Sequence, residues 1–289
     1  MSHISIFIEL TRLKKPIGFM LLFWPCAWGL SIAYNFENGF QQYIFYILLF
    51  FSGSVLMRSA GCVVNDIIDR DFDKKVERTK NRPLASGKLS VKLALIYSLI
   101  LCLLAFLVLI NFNLTTILLA LLSMPLAFTY PLMKRFTYWP QLFLGVTFNY
   151  GLLLGWTSVN ENINLAPIIF YLGAIFWTLG YDTIYGFQDI EDDEIIGVKS
   201  TSIKFKKNPK IFLSVCYFLF ILCYLIMGIN LKLNNYFFVG NLLIIFHLLY
   251  FQIYNFEKSN KLKCLNIFKS NNLLGFIILI NILIGKIIY

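Results

Sequence analysis

The chain has 289 residues, 58% of them hydrophobic and only 14% charged, and its formal net charge is +10. A soluble domain carries roughly 25% charged residues, so the composition excludes an ordinary soluble enzyme. We expect the lipid bilayer to surround the chain as solvent and partner. Helices are expected to cross it, because open strands would leave unpaired backbone groups in lipid.

Nine segments are apolar over about the 20 residues that a helix needs to span a bilayer. In chain order, the predicted spans cover 16–34, 42–64, 91–111, 114–131, 140–159, 165–187, 210–229, 236–255 and 272–289. The predicted fold is therefore all-α, a polytopic transmembrane bundle of about nine helices that forms one domain over residues 1–289.

Lysine and arginine are concentrated in the N-terminal arm and in the connections after the second, fourth, sixth and eighth predicted spans. Positively charged loops stay on the cytoplasmic side of a membrane. The N-terminus and these loops are therefore predicted to face the cytoplasm, or the matrix of a mitochondrion. We expect an inner (plasma) membrane of the bacterial type or the mitochondrial inner membrane. Because topology explains the positive charge, no nucleic-acid partner is expected.

Most acidic residues occur in two short stretches, at the ends of the second and sixth predicted spans. Asn65, Asp69 and Asp73 recur every four residues, so they share one face if the span continues as a helix. Asp189 and Asp193 have the same spacing. Such crowded carboxylates repel one another, and Mg²⁺ relieves this repulsion with one or two carboxylates, waters and phosphate oxygens as ligands. The sequence predicts Mg²⁺ and a bridging diphosphate between the two stretches.

Basic residues accompany both acidic stretches. Guanidinium and ammonium groups donate charge-assisted hydrogen bonds to phosphate oxygens. The candidates for binding the diphosphate in this way are Arg70, Arg78, Arg82 and Lys199.

The two acidic stretches resemble the paired motifs of the UbiA superfamily of intramembrane prenyltransferases. The first motif, Asn-Asp-x-x-Asp-x-x-x-Asp, falls on Asn65, Asp66, Asp69 and Asp73, and the second, Asp-x-x-x-Asp, falls on Asp189 and Asp193. Segments that resemble the branch of the superfamily that prenylates 4-hydroxybenzoate are 12–18, 129–135, 181–185 and 197–201.

This resemblance implies a helical bundle with a central cavity open to the cytoplasmic side. The implied enzyme is a Mg²⁺-dependent aromatic prenyltransferase. It would move a polyprenyl chain from polyprenyl diphosphate to the ring carbon ortho to the hydroxyl of 4-hydroxybenzoate, an early step of ubiquinone biosynthesis. The implied metal ligands are Asn65, Asp69, Asp73, Asp189 and Asp193.

Three further carboxylates are candidates for catalytic roles, namely Asp66, Asp182 and Asp192. Each is a candidate supporting ligand, acceptor of the ring proton or hydrogen-bond partner, and the residues alone do not choose among these roles.

A benzoate acceptor carries a carboxylate and therefore requires a cation. Arg12 and Arg135 are the better candidates, and Arg58 is the third. Arg58 falls inside the second predicted span, where a charge is costly and indicates a polar cavity. The alternative for Arg58 is that it snorkels or pairs with a helix carbonyl. Tyr130 and Tyr185 are candidate walls of a dry, aromatic chamber, because an allylic cation is stabilised by π-systems and destroyed by water.

Two other functions fit the pattern less well. A prenyltransferase of the same fold could accept haem, a naphthoate or a chlorophyll precursor. A cation transporter with acidic gates belongs to a different class, but transporters usually place their carboxylates near the membrane midplane, whereas these stretches lie at the ends of predicted spans.

Overall fold

The computed structural model describes residues 3–287, apart from the side chain at position 38, and every regular element within that part of the chain is helical. The helices are α1 (His3–Thr11), α2 (Ile17–Ala33), α3 (Gln41–Ile68), α4 (Arg70–Asp73), α5 (Val91–Leu109), α6 (Leu114–Thr129), α7 (Met133–Phe136), α8 (Pro140–Thr157), α9 (Leu165–Gly186), α10 (Ile190–Ile196), α11 (Thr201–Lys204), α12 (Pro209–Asn230), α13 (Asn235–Phe246) and α14 (Lys261–Ile287). Two 3₁₀ turns cover Phe36–Asn38 and Tyr130–Leu132, and α13 continues as a π-helix over His247–Tyr254.

Seven helices of the described part are long and apolar enough to cross a membrane. They are α3, α5, α6 with its continuation to Phe136, α9, α12, α13 with its π-helical continuation, and α14. The predicted all-α, multi-pass membrane class is confirmed, but the predicted count of nine is slightly higher. The difference arises because α2 has only 17 residues, and because polar residues, among them the buried Gln141 and Asn149, lower the hydropathy of α8.

The predicted start of the last span, at residue 272, was wrong. The helix begins at Lys261, so Lys263 and Lys269 lie on α14 rather than in a connection. The polar residue Asn271 lowers the hydropathy of this segment, yet its side chain is fully buried and accepts a hydrogen bond of 2.9 Å from Trp177 Nε1. The last two residues of the predicted span lie outside the described residues.

Glycines bring α2 and α8 into direct backbone contact. A Cβ added to Gly29 would lie 2.0 Å from the carbonyl oxygen of Leu152, and one added to Gly155 would lie 2.2 Å from that of Cys26. Small residues are what allows two membrane helices to approach this closely. The α2–α8 contact therefore depends on the absence of side chains at these two positions.

Aromatic side chains fill the interior where α2, α9 and α14 meet. The ring of Trp28 lies 5.1 Å from that of Trp177 and 5.5 Å from that of Phe170. Both tryptophans satisfy their indole N–H groups on α14, Trp28 on the carbonyl of Gly275 and Trp177 on Asn271. Buried tryptophans normally need such partners. These contacts fix α9, which carries the second acidic stretch at its end.

Replacing Gly155 by alanine is expected to destabilise the protein, because the new methyl group would force α2 and α8 apart. Overpacking of this kind costs about 1–3 kcal/mol. The melting temperature in detergent, followed by tryptophan fluorescence, should therefore fall by several degrees. Gly61→Ala on α3 is the matched control, since a Cβ there meets nothing within 4 Å. Equal melting temperatures for the two variants would contradict the close contact between α2 and α8.

Candidate active site

Both acidic stretches line a single cavity of about 340 Å³ at the ends of α3 and α9. Its acidic and amide lining comprises Asn65, Asp69, Asp73, Gln141, Asp182, Asp189 and Asp193. Its basic lining comprises Arg12, Lys15, Arg58, Arg78, Arg82, Lys134 and Lys199. Asp69 and Asp189 therefore face the same space, although they lie far apart in the sequence.

The first acidic stretch keeps helical hydrogen bonding beyond the end of α3. The N–H of Asp69 donates to the carbonyl of Asn65 at 2.9 Å, and the N–H of Asp73 donates to that of Asp69 at 2.8 Å. Residues four apart in such a chain share a face. Asp69 and Asp73 are both buried, at 3% and 7% exposure, so their carboxylates point into the cavity instead of into bulk solvent.

The second acidic stretch follows α9 directly. The N–H of Asp193 donates to the carbonyl of Asp189 at 2.8 Å, which places both residues on one side of α10. That helix ends at Gly197, whose φ of +81° is the left-handed conformation that glycine adopts without strain. The turn brings the N–H of Lys199 onto the carbonyl of Lys134 at 2.8 Å, so the second stretch is tied to α7.

Arg78 links the two stretches. It lies in the connection after α4, and its Nε and Nη2 atoms donate to the carboxylate of Asp189 at 2.8 and 2.5 Å. Its Nη1 atom donates to the hydroxyl of Tyr185 at 3.3 Å. A two-pronged guanidinium–carboxylate pair is among the stronger and more directional polar contacts in proteins. The first motif is thus held directly against the second.

Other basic groups hold the carboxylates of the first stretch. Lys134 Nζ donates to Asp69 Oδ2 at 2.7 Å, and Arg82 Nη1 donates to Asp73 Oδ2 at 2.8 Å. These cations are close enough to the cavity to contact a bound anion as well, because Arg82 and Lys134 both line it.

Asp66 lies behind this lining and not in it. Its carboxylate is 2% exposed and accepts hydrogen bonds from Arg12 at 2.5 Å and from Arg82 at 3.1 Å. Arg12 adopts a φ of +57°, a left-handed conformation that costs a non-glycine residue roughly 1–2 kcal/mol. The ion pair with Asp66 offsets that cost and holds Arg12 at the cavity wall.

The donor set fits a divalent cation. Burial and then the neighbouring charge of Asp189 raise the pKa of Asp193 to about 6, and Asp69 Oδ1 is buried without a hydrogen-bond partner among residues 3–287. A cation between these groups would reduce the repulsion between the carboxylates and would give Asp69 Oδ1 a partner. Among residues 3–287, no three acidic, histidine or cysteine side chains are close enough to hold a metal by themselves. Mg²⁺ does not require such a cage, because it usually takes one or two carboxylates together with waters and phosphate oxygens.

The inner end of the cavity adjoins a second, apolar cavity of about 230 Å³ between α3, α5, α6 and α8. Arg58, Tyr130 and Phe148 line both. The guanidinium of Arg58 lies 5.4 Å from the centre of the Phe148 ring, and its buried Nε atom has no hydrogen-bond partner. Within residues 3–287, a cation with no ion pair or hydrogen bond therefore lies where the polar and apolar spaces meet.

Four of the residues proposed from sequence lie outside the cavity lining, namely Asp66, Arg70, Arg135 and Asp192. Arg70 faces Asp71 on the surface, with 3.5 Å between Nε and Oδ1. Arg135 donates to the carbonyl of Ile68 at 2.8 Å. The remaining proposed residues, including Tyr130, Asp182, Tyr185 and Lys199, all line it.

Several lining residues were not among the predicted site residues, and Lys134 and Phe268 are two of them. Lys134 belongs to segment 129–135, whose resemblance to the family was the available signal. Phe268, whose ring lies 4.4 Å from that of Tyr185, was missed because the last span was predicted to begin after it.

The sequence matches the model of the UbiA prenyltransferase family over residues 22–283. The chain belongs to this family. A Drosophila pseudoobscura pseudoobscura protein named "4-hydroxybenzoate polyprenyltransferase, mitochondrial" is 43% identical over 285 residues, which cover 98% of this chain and 70% of that protein.

Solved structures of UbiA homologues share the fold. The apo structure of a homologue from Aeropyrum pernix K1 has a TM-score of 0.75 and is 22% identical, covering 92% of this chain and 97% of the other. A homologue from Archaeoglobus fulgidus, bound to DMAPP and Mg²⁺, has a TM-score of 0.66 and is 18% identical, with coverages of 94% and 98%. At these identities the likeness establishes the UbiA fold.

For this UbiA family member we expect Asp66→Asn to destabilise the fold, because Arg12 and Arg82 would lose a shared buried carboxylate. Removing one partner of a buried ion pair costs about 3–5 kcal/mol, and the partial exposure of both arginines lowers this to about 2–3 kcal/mol. Thermal unfolding in detergent measures the loss. The matched control is Asp71→Asn, whose side chain is 75% exposed. A comparable loss of stability in both variants would argue against a structural role of Asp66.

Proposed function

We propose that the protein transfers a polyprenyl chain from polyprenyl diphosphate to 4-hydroxybenzoate, at the ring carbon ortho to the hydroxyl, as an early step of ubiquinone biosynthesis. The observation that supports this most strongly is the junction of the two cavities. A polar chamber lined by both acidic stretches adjoins an apolar chamber, and three residues line both, which matches a substrate with a diphosphate head and a hydrocarbon tail. The name of the Drosophila relative adds the acceptor.

The diphosphate end is assigned to the acidic stretches. Asn65, Asp69, Asp73, Asp189 and Asp193 are the residues that would hold Mg²⁺, which when bound supplies a Lewis acid for the diphosphate oxygens.

The basic side chains around the diphosphate act as its hydrogen-bond donors. Arg78, Arg82, Lys134 and Lys199 line the polar chamber and donate to phosphate oxygens. Because the carbon–oxygen bond breaks with both electrons going to diphosphate, these donors stabilise charge that grows as the bond breaks.

The prenyl chain is assigned to the apolar cavity. The cavity is not enclosed, and two residues that line it, Phe106 and Leu121, are each 45% exposed. The cavity therefore reaches the lipid-facing surface, and a long tail can continue from it into the bilayer. Chain length is consequently not limited by the volume of the cavity.

Aromatic rings surround the position of the allylic carbon. Tyr130 and Phe148 stand at the junction of the two cavities, and Tyr181, Tyr185 and Phe268 line the polar chamber nearby. Their π-faces stabilise an allylic cation, and their bulk keeps out water that would capture it.

Arg58 is the best placed of the three candidate arginines to bind the carboxylate of the acceptor. Arg12 is already paired with Asp66, and Arg135 lies outside the lining with its guanidinium on the carbonyl of Ile68. Arg58 has no hydrogen bond or ion pair within residues 3–287 and lies at the junction of the cavities. A carboxylate held there leaves the ring between the diphosphate and the tail.

Asp182 is the best placed of the three candidate carboxylates to accept the ring proton. Asp66 is occupied by two arginines, and Asp192 is not part of the described lining. Asp182 lines the chamber and accepts no hydrogen bond from the described residues. Once the ring has attacked the allylic carbon, loss of this proton to Asp182 restores aromaticity.

We place the polar chamber on the cytoplasmic side, or the matrix side in a mitochondrion. The basic connections surround the chamber, and such connections remain on that side. Neither an acceptor such as haem or a naphthoate nor cation transport has comparable support.

Membranes that contain the protein are expected to form prenylated 4-hydroxybenzoate from labelled polyprenyl diphosphate, 4-hydroxybenzoate and Mg²⁺. Asp189→Asn should lower the rate at least about 100-fold, because a neutral amide lacks the negative charge with which the carboxylate binds the metal. Extraction of labelled product into organic solvent measures the rate. Asp71→Asn, an exposed acid of the first stretch outside the cavity lining, is the control and should keep its activity. Absence of product from the unmodified protein would refute the proposed reaction.

Arg58→Ala should raise the KM for 4-hydroxybenzoate at least about tenfold, since a charge-assisted hydrogen bond contributes roughly 1.5–3 kcal/mol. The KM for polyprenyl diphosphate should change much less, because other side chains bind the diphosphate. Initial rates with each substrate varied in turn provide both constants. Arg70→Ala, which removes a surface arginine next to the same motif, serves as the comparison. Equal increases of both KM values in Arg58→Ala would exclude a specific contact with the acceptor.

A further inference from the structure

Gly18 lies directly against the guanidinium of Arg58. It is the second residue of α2, and a Cβ added there would lie 2.9 Å from Arg58 Nε, 3.5 Å from Nη2 and 3.6 Å from Cζ. These are the three nearest atoms, and all belong to one side chain. Because Gly18 has no side chain, the backbone of α2 at this point forms part of the surface that the guanidinium contacts.

The contact at Gly29, the other glycine of α2, is of a different kind. At Gly29 the neighbouring atoms belong to the backbone of Leu152, so a side chain there would push two helices apart. At Gly18 the neighbour is the end of a long side chain, which can move while the helices stay in place. A methyl group at position 18 would therefore displace the Arg58 guanidinium and little else.

Arg58 cannot be displaced without a change at the junction of the cavities. Its guanidinium also packs over Phe148, a residue that lines both the polar and the apolar space, and Gly18 itself lines the polar one. No ion pair within residues 3–287 ties the guanidinium to a second position. Its location is therefore set by packing, with Gly18 as one of the contacts.

We infer that Gly18 is a positioning residue for the acceptor: the absence of a side chain there sets where the Arg58 guanidinium meets the carboxylate of an aromatic acid. This inference rests on the proposed function, in which Arg58 binds that carboxylate. A displacement of about 1 Å is enough to spoil the alignment of bound reactants. The diphosphate is bound by residues of other elements, so the effect of a methyl group at position 18 is confined to the acceptor.

The test is Gly18→Ala in the full-length protein, purified in detergent. The KM for 4-hydroxybenzoate should rise about tenfold or more, and the KM for polyprenyl diphosphate should change less than about twofold, as expected when one substrate contact is lost. The melting temperature should not fall, because alanine is a better helix former than glycine. A merely structural role of Gly18 predicts the opposite pattern, with a lower melting temperature and parallel changes for both substrates.

A double-mutant cycle isolates the contact with Arg58. In an Arg58→Ala background the guanidinium is gone, so adding Gly18→Ala should cause no further loss of acceptor affinity. Equilibrium dialysis of labelled 4-hydroxybenzoate, with an unreactive prenyl thiolodiphosphate present, measures affinity even in variants that do not turn over.

Three results would overturn the role of Gly18: an unchanged acceptor KM in Gly18→Ala, equal increases for both substrates, or a full additional loss in the Arg58→Ala background. Failure of the proposed function has a different signature. In that case the unmodified protein forms no prenylated 4-hydroxybenzoate, or Arg58→Ala alone leaves the binding of 4-hydroxybenzoate unchanged.

Discussion

Mutual repulsion between carboxylates is the constraint on which the site depends. Two acidic stretches from distant parts of the chain face one cavity, and like charges in a partly buried space oppose such an arrangement. The structure offsets this repulsion with guanidinium and ammonium groups placed between the carboxylates, above all the contact of Arg78 with Asp189 and that of Lys134 with Asp69. The same cations are the natural donors for a diphosphate, so the groups that allow the site to form also suit its substrate.

Positions without a side chain are as important for the packing of this structure as the side chains themselves. The glycines between α2 and α8 let two backbones touch, and this contact supports the wall that carries Phe148. At the other end of α2, Gly18 leaves room for a charged group that has no ion pair or hydrogen bond in the described part of the chain. An unpaired guanidinium next to an apolar space is costly, and binding an anionic ring would relieve that cost. Helix α2 thus packs against α8 and, under the proposed function, also helps to position the group that binds the acceptor.

Much of this architecture was predictable from sequence. Apolar segments separated by basic connections indicated the membrane class, and the four-residue spacing of Asn65, Asp69 and Asp73 is the spacing found on one helical face. Hydropathy misplaced the start of α14, because the first turns of the helix carry Lys261, Lys263 and Lys269 and because Asn271 is polar and yet buried among hydrogen-bonding partners. Spacing also could not show that Asp66 lies outside the cavity lining, or that Arg58 has no ion pair or hydrogen bond within residues 3–287, because both facts depend on side chains from several other elements.

The opening of the apolar cavity at Phe106 and Leu121 has a consequence for how the enzyme is supplied. Under the proposed function, the isoprenoid never leaves the hydrocarbon phase: it diffuses sideways into the protein, reacts, and returns sideways as product. Turnover then follows the mole fraction of the donor within one leaflet and not its concentration in water, whereas the small aromatic acid arrives from solution. The protein works as a two-phase catalyst, with its reacting atoms at the boundary between the phases.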